Sequence, residues 1–217
     1  MIPKIIHQIF FEIYNKKIED FDCFLESKKI AERQEGYKYI LWDIKTADRL
    51  IKKHYSEYYD FYKKMRFDIQ RVDFIRFCIL HKYGGFYLDL DMLILKSLDP
   101  LTKNKYVFHN IRYVQPNYSY IENDFIGSVP SSKLWLYAMS ACVKNYNQKK
   151  NMEIYDIWKG RFVLQTTGPK FLARVVKKAL PKYKPKQIAY TKWSKDSKDK
   201  YYVQDFKTNS WVNDKAS

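Results

Sequence analysis

Apolar runs and amphipathic segments alternate along this chain of 217 residues. Residues 2–11 are apolar and β-branched after Pro3, which predicts a first buried strand. The run YKYILW at 37–42 predicts a second strand, and strand patterns return at 106–109 and near 124–128. Because these strands alternate with helical patterns, the sequence predicts an α/β domain whose mostly parallel sheet is covered by helices on both faces.

The helical patterns occupy longer stretches between the strands. Helices are predicted over 47–62 and 132–145, and a third over 65–83, where apolar residues recur at core spacing. The pair Gly84-Gly85 ends the third helix, because glycine readily adopts the backbone conformation of a helix end. The lysine-rich stretch 181–200 is typical of a surface loop.

Two carboxylates follow that helix in the stretch GGFYLDLDMLIL, which otherwise has the pattern of a buried strand. Alternation along a strand puts Tyr87, Asp89 and Asp91 on one face. At a separation of roughly 6 to 7 Å and an effective dielectric near 20, the two charges repel by about 2 to 3 kcal/mol. Two interpretations remain: a strand end that exposes both groups to water, or a cleft where a cation lies between them.

The preceding helix carries a further charged pair. Asp73 and Arg76 are three residues apart and share one helix face. They form either an exposed ion pair worth a few tenths of a kcal/mol, or a pair that points to the same cleft as Asp89 and Asp91. Such a cleft is expected at the carboxyl edge of the sheet, where open α/β folds bind ligands.

Composition limits the class of protein. With 46% hydrophobic and 18% aromatic residues, the chain is globular, with one aromatic-rich core. Three scattered cysteines and four histidines have no zinc-site spacing, so we expect reduced thiols and no zinc cluster. The sequence has no apolar run of membrane-spanning length, and its start MIPKIIHQIFF lacks the features of a signal peptide. We therefore expect a soluble, cytoplasmic protein.

The net charge of the chain is compatible with a second class of function. Forty Lys and Arg against 24 Asp and Glu give a net charge of +16, which attracts nucleic acid, anionic lipid or diphosphate-bearing substrates. The excess is diffuse, apart from clusters at 177–178 and 182–200. A basic nucleic-acid-binding protein, or a metal-dependent nuclease that uses the acidic pair, is therefore the alternative hypothesis. No nucleic-acid module motif supports it.

A longer motif surrounds the carboxylates. The run RVDFIRFCILHKYGGFYLDLD at 71–91 resembles the signature of glycosyltransferase family 32, sugar transferases with a DXD motif that include the initiating α-1,6-mannosyltransferase. It is also distantly similar to the catalytic domains of large glucosylating toxins. Shorter matches span the rest of the chain, namely IPKIIHQIF, GYKYILWD, NDFIG, TGP and NSW.

This resemblance implies one domain of the GT-A fold over residues 1–217, with a mixed, mainly parallel sheet. Residues 201–217 would form a tail that closes over the donor. The implied reaction is metal-dependent, retaining transfer of a sugar from a nucleotide-diphospho-sugar, UDP-linked or else GDP-linked, to a glycan or lipid-linked acceptor, as in polysaccharide biosynthesis. Retention agrees with the lack of an evident nucleophile and base pair. The resemblance leaves peripheral contact with an anionic membrane open, and we expect no nucleic-acid partner.

The family also implies roles for single residues. Asp91 would ligate Mn²⁺ or Mg²⁺ directly, while Asp89 would act through water or bind the ribose and sugar, since hard cations prefer carboxylate and phosphate oxygens. Asp73 and Arg76 would hold hydroxyls of the donor sugar. A third metal ligand would come from the tail. The resemblance assigns donor contacts to Gln8, Phe10, Tyr87, Asn123, Asp124, Ser210 and Trp211.

Two of these assignments involve departures from the family pattern. Many members have a histidine just upstream of the Ser-Trp pair, and this chain does not, so Asn209 or Asp205 is the candidate third ligand. Phe10 stands where the family often has tryptophan. Its ring would stack on the nucleobase or pack in the core, and the sequence favours neither.

Overall fold

The structure is a computed structural model, and it describes residues 1–12, 16–110, 121–151, 159–180, 185–188, 190–191 and 202–206. Six strands form the central sheet in the order β2-β1-β3-β6-β5-β7, and a small sheet has the order β4-β9-β8. The strands are β1 (Ile5–Ile9), β2 (Lys38–Trp42), β3 (Gly85–Leu88), β4 (Met92–Ile94), β5 (Tyr106–Asn110), β6 (Ile121–Ser128), β7 (Lys186–Ile188), β8 (Tyr190–Thr191) and β9 (Val203–Asp205).

The central sheet is mixed and mainly parallel, which confirms the predicted fold class. Strand β6 runs antiparallel to β3 and β5, and the other neighbours in this sheet are parallel. The four predicted strands correspond to β1, β2, β5 and β6. The prediction of a surface loop over 181–200 is wrong for the part of it that the structure describes, because β7 and β8 lie there. Polar strands at a sheet edge lack the alternation by which strands are recognised.

The helices are α1 (Asp22–Glu32), α2 (Ile44–His54), α3 (Tyr59–Lys63), α4 (Asp68–Tyr83), α5 (Lys133–Lys149), α6 (Lys159–Thr166) and α7 (Pro169–Ala179). The helix predicted over 47–62 is divided, since α2 ends at His54 and a 3₁₀ turn at Ser56–Tyr58 precedes α3. Helices α4 and α5 correspond to the other two predictions. Within the described ranges, no helix has the length and apolar character needed to cross a membrane.

Alternate residues along the sheet enter different cores, as the strand period requires. Phe86 and Leu88 pack in a core that includes Ala31 of α1, whereas Tyr87 packs in a larger core with α2, α4, α5 and α7. Aromatic rings fill this larger core, where Phe77 of α4 stacks on Trp135 with centroids 5.8 Å apart. Helices therefore cover both faces of the sheet, as the alternating pattern predicted.

The Gly84-Gly85 pair joins α4 to β3 without a loop. Both residues have positive φ, at 63° and 89°, where a side chain is strained. A Cβ on Gly84 would lie 2.6 Å from the backbone nitrogen of Pro130, and one on Gly85 would lie 2.6 Å from the carbonyl oxygen of Ile5. The sharp turn sends β3 back along α4, which brings the residues after β3 towards the first half of that helix.

His7 connects this turn to the first two strands. It is fully buried in β1, its Nε2 donates to the carbonyl oxygen of Gly84 at 2.9 Å, and its Nδ1 accepts from the indole N–H of Trp42 at 3.2 Å. This arrangement requires the neutral ring protonated at Nε2. Burial lowers the pKa of His7 from 6.5 to about 4, although its bond to Gly84 opposes the shift.

His7 should make the protein sensitive to acid. As pH falls from 6.5 towards 4, the unfolded chain binds a proton that folded His7 does not, so the free energy of unfolding should fall by up to about 3 kcal/mol across this window. Urea unfolding at a series of pH values measures this change. The variant His7→Gln should show a smaller dependence on pH in this window. The control His54→Gln, at the end of α2, should keep the wild-type dependence, and equal behaviour of the two variants would contradict the assignment.

Candidate active site

Four strands bring side chains of the candidate site to one edge of the central sheet. The parallel strands β1, β3 and β5 end there, so Phe10, Asp89 and His109 lie at or next to their carboxyl ends. Strand β6 is antiparallel and begins at the same edge with Asn123 and Asp124. This edge is where open α/β sheets bind ligands, and the predicted site residues of these strands meet here.

The DXD residues form a turn rather than a strand. Strand β3 ends at Leu88, and the prediction that Asp89 and Asp91 share a strand face is therefore wrong. The backbone N–H of Asp89 donates to the carbonyl oxygen of Asp124 at 2.8 Å, and that of Met92 donates back to the carbonyl oxygen of Asp89 at 3.1 Å. Between the carboxylates, Leu90 is buried against Ile18 and Phe24. The apolar residue thus anchors the turn.

The C-terminal part of the chain returns to this turn. Strand β9 pairs antiparallel with β4, which places Asp205 opposite Met92. The backbone N–H of Phe206 donates to the carbonyl oxygen of Asp91 at 2.9 Å. The described segment 202–206 therefore ends beside the DXD turn. Asn209, Ser210 and Trp211 lie outside the described residues, so their assigned contacts stay predictions.

Arg76 extends from α4 to the DXD turn. Its guanidinium, 1% exposed, donates through Nη2 to the Tyr87 hydroxyl at 2.9 Å and to Asp89 Oδ1 at 3.0 Å. Its Nη1 donates to the backbone carbonyl of Asn123, and the group lies 4.1 Å from the centre of the Tyr87 ring. The Tyr87 hydroxyl donates to the same oxygen of Asp89. Of the two interpretations, the structure therefore shows the pair directed inwards rather than exposed.

Asp73 lies one helical turn before Arg76 on α4. Its carboxylate is buried, and Oδ1 accepts from the amide of Asn123 and Oδ2 from the hydroxyl of Thr167, both at 2.8 Å. Oδ1 is also 3.4 Å from Nη1 of Arg76. Burial raises the pKa of Asp73, while Arg76 and the two hydrogen bonds oppose that rise. Both oxygens have protein partners, and a direct bond from Asp73 to a sugar hydroxyl stays a prediction.

The charge on Asp89 is poorly compensated. Its side chain is 33% exposed, and its pKa is raised to about 8, first by desolvation and then by the charges of Asp91 and Asp124, although Arg76 opposes the shift. The hydrogen bonds to its carboxylate found among the described residues use Oδ1, which leaves Oδ2 directed elsewhere. A cation next to this group would relieve the repulsion.

The donor set suits a hard cation but is incomplete. Asp89 and Asp91 offer the carboxylate oxygens that Mn²⁺ and Mg²⁺ prefer. In the described ranges, no three His, Cys, Asp or Glu side chains form a group that could hold a metal ion. The remaining ligands would therefore be water, phosphate oxygens or side chains outside those ranges.

A bulge in β6 positions Asn123 and Asp124. A single residue of β5, His109, spans four residues of β6, Glu122–Phe125, and bulges of this kind redirect side chains next to active sites. His109 Nδ1 lies 2.6 Å from Asp124 Oδ1. Burial lowers the pKa of His109, but Asp124 and nearby acids outweigh it and raise that pKa overall.

Gln8 and Phe10 lie at the end of β1 and have protein contacts. The buried amide of Gln8 donates to the hydroxyl of Ser27 at 2.8 Å and accepts from the hydroxyl of Tyr39 at 2.9 Å. Phe10 is half-buried and meets Phe24 edge to face, with centroids 6.3 Å apart. The proposed contacts of both residues with the donor stay predictions.

Thr167 and His109 are the residues of this site that the sequence did not identify. Thr167 lies in the TGP block, which showed a resemblance but assigned no role, and its bond to Asp73 spans 94 residues of chain. His109 is one of four isolated histidines, which are usually structural. Its partner Asp124 was identified, but their pairing depends on the β6 bulge.

Removing the hydroxyl of Thr167 tests the support of Asp73. In Thr167→Val one oxygen of a buried carboxylate loses its partner, so the free energy of unfolding should fall by about 1 to 3 kcal/mol. Thr167→Ser keeps the hydroxyl and should retain most of the stability. Urea unfolding of both variants measures the difference, and equal stability of the two would show that this hydrogen bond does not support Asp73.

Comparison with known proteins identifies the family. Residues 20–108 match the family described as the glycosyltransferase sugar-binding region containing a DXD motif. The chain is 34% identical over 179 residues to the mannosyl phosphorylinositol ceramide synthase CSH1 of Saccharomyces cerevisiae, a match that covers 82% of this chain but 43% of that protein. It is 27% identical to inositol phosphoceramide mannosyltransferase 2 of Schizosaccharomyces pombe, over 100% of this chain and 60% of the relative. The chain thus spans less than two thirds of either protein.

A solved structure supports the fold. The PaToxG glycosyltransferase superposes with a TM-score of 0.57 over 83% of this chain and 70% of its own, at 16% identity. At this identity the likeness concerns the fold alone, and it agrees with the predicted GT-A architecture. With the match at residues 20–108, the resemblance seen in the sequence is confirmed, and the chain belongs to the glycosyltransferases whose sugar-binding region contains a DXD motif.

Proposed function

We propose that this glycosyltransferase moves a sugar from a nucleotide-diphospho-sugar to its acceptor with a divalent cation at the Asp89–Asp91 turn. The observation that carries the proposal is the state of Asp89. Arg76 and Tyr87 hold one of its oxygens, and desolvation, together with the neighbouring charges of Asp91 and Asp124, raises its pKa to about 8. A carboxylate that is rigidly positioned and poorly neutralised is suited to a cation.

In this proposal Asp89 and Asp91 have different roles. Asp91 binds the cation directly, and Asp89, held by Arg76, acts through water or on the ribose and sugar. A bound Mn²⁺ or Mg²⁺ supplies charge neutralisation for the leaving diphosphate. Asn209 completes the protein ligands, because Asp89, Asp91 and the described Asp205 do not form a group that could hold a metal ion. The pairing of β9 with β4 supports a ligand from this part of the chain.

In this proposal the same edge of the sheet binds the donor in a defined orientation. We place the sugar against Arg76 and Asp73, the diphosphate under the tail with Ser210 and Trp211, and the base near Phe10. The bond from Phe206 to Asp91 supports a tail that closes over the donor, because the tail starts at the turn. With no nucleophile and base pair assigned, positioning and charge stabilisation account for the transfer, which we propose to proceed with retention.

The acceptor is proposed from the relatives. One is named as a mannosyl phosphorylinositol ceramide synthase and another as an inositol phosphoceramide mannosyltransferase. We therefore place a glycolipid first among acceptors, ahead of a free glycan, and add GDP-linked mannose to the UDP-sugars as a donor to test. Nucleic-acid binding retains only the +16 charge as support.

A donor screen tests the proposal. Purified protein with Mn²⁺ should release nucleotide diphosphate from one UDP- or GDP-sugar, and a chelator should stop the release. Asp91→Asn should lower the rate roughly a hundredfold or more, as expected when a group that stabilises developing charge is lost. The control Asp99→Asn removes an exposed carboxylate that pairs with Lys4, and should leave the rate unchanged.

Two results would contradict the proposal. One is transfer by Asp91→Asn at nearly the wild-type rate with the same dependence on metal. The other is silence across the donor panel combined with no Mn²⁺-dependent binding of UDP or GDP, which would bring the nucleic-acid hypothesis forward.

A further inference from the structure

Helices α5, α6 and α7 form a layer that is rich in cations. Helix α5 packs against both α6 and α7, and all three cover the larger core on one face of the sheet. The sequence contains no acidic residue between Asp124 and Glu153, or between Asp156 and Asp196. We call the solvent side of this layer the basic face, and its exposed cations are Lys133, Lys144, Lys150, Arg161, Lys170, Arg174, Lys177 and Lys178.

The opposite face of the domain has a different charge pattern. Helix α1 mixes acidic and basic side chains, and Lys28 pairs with Glu32 at 2.8 Å. The basic face therefore differs from α1 in that its three helices contain no acidic residue to offset their cations. A surface with one sign of charge attracts polyanions far more strongly than a mixed one.

An exposed apolar side chain distinguishes a lipid surface from a nucleic acid. Leu136 on α5 is 44% exposed, and in the described ranges it is one of three large apolar side chains with this degree of exposure, together with Met1 and Leu25. It lies one helical turn after Lys133 on the same side of α5. A cation beside an exposed apolar side chain suits the interface of an anionic bilayer, where the cation meets the headgroups and the apolar side chain meets the acyl boundary.

The basic face borders the edge of the sheet that carries the site. Helix α7 begins at Pro169, two residues after Thr167, which binds Asp73. Near the other end of α5, the amide of Asn145 donates to the carbonyl oxygen of Gln165 at 2.6 Å. The layer therefore extends from the site across the face of the sheet, with Lys170 near the site and the start of α5, including Leu136, at the opposite edge of the sheet.

We propose that the basic face, with Leu136, docks the protein on a bilayer that contains anionic phospholipid. This inference rests on the proposed function for its purpose, since docking holds the enzyme on the membrane that carries a lipid-linked acceptor. The contact itself is electrostatic, with a minor apolar contribution, and it depends on ionic strength.

Vesicle sedimentation tests the docking. The purified chain should bind phosphatidylserine–phosphatidylcholine vesicles, should not bind phosphatidylcholine vesicles, and should dissociate at high salt. The triple variant Lys170→Gln, Lys177→Gln, Lys178→Gln should lose roughly tenfold to a hundredfold in vesicle affinity, since each cation near such a surface contributes roughly a fivefold factor. A triple variant of the opposite face, Lys17→Gln, Lys29→Gln, Arg33→Gln, has the same net charge and should lose about twofold at most.

Substitutions of exposed leucines distinguish lipid binding from nucleic-acid binding. Leu136→Gln should weaken vesicle binding, whereas Leu25→Gln, an equally conservative change at the exposed leucine of α1, should not. Equal losses in the two triple variants would overturn the proposal, because binding would then follow net charge alone. Tighter binding to random-sequence DNA or RNA than to vesicles, weakened by the basic-face triple but not by Leu136→Gln, would also overturn it and assign the surface to nucleic acid.

Donor hydrolysis without vesicles separates this inference from the proposed function. All four variants leave the site residues intact, so each should keep the Mn²⁺-dependent release of nucleotide diphosphate shown by the wild type. Normal hydrolysis without vesicle binding would overturn the docking alone. Vesicle binding by a wild-type protein that cleaves no donor would contradict the proposed function and leave the docking supported.

Discussion

The buried guanidinium of Arg76 is the interaction on which the site depends. A buried charge costs several kcal/mol unless partners compensate it, and here Asp73 and Asp89 supply the opposite charges. The carbonyl oxygen of Asn123 accepts a hydrogen bond from its Nη1, and the hydroxyl of Tyr87 accepts one from its Nη2. One side chain thus joins α4, β3, β6 and the DXD turn, and removing it would leave two carboxylates without their cation.

The same contacts give stability and position the site. Asp73 holds the turn between α6 and α7 through Thr167 and the β6 bulge through Asn123, so both of its oxygens are engaged. Asp89 is fixed through its backbone by Asp124 and through one carboxylate oxygen by Arg76. A site of this kind is preorganised, because its charged groups are oriented before a substrate arrives.

The charge at the site differs in sign from the net charge of the protein. The protein as a whole carries +16, yet carboxylates outnumber cations at the edge of the sheet where Asp89, Asp91 and Asp124 meet. An anionic diphosphate is attracted to the molecule at long range and repelled by these groups at short range. In the proposed function a divalent cation resolves this conflict, so metal and donor binding reinforce each other.

The sequence by itself determined the features that depend on neighbouring residues. Periodicity predicted four strands of the sheet and the helix α4, and the adjacent glycines of Gly84-Gly85 predicted the turn after it. The ordered motif from Arg71 to Asp91 predicted the family, since its spacing is a local property of the chain. Asp73 and Arg76 were recognised as a pair because they are one helical turn apart.

Only the tertiary structure decided where these groups point. The alternating pattern continues past Leu88, but the pairing of β4 with β9 draws the chain into a second sheet and converts Asp89–Asp91 into a turn. Thr167 reaches Asp73 across 94 residues, and the bulge in β6 sets His109 against Asp124. Contacts of this kind depend on segments far apart in the chain, whose burial and pairing leave no periodic signal in the sequence.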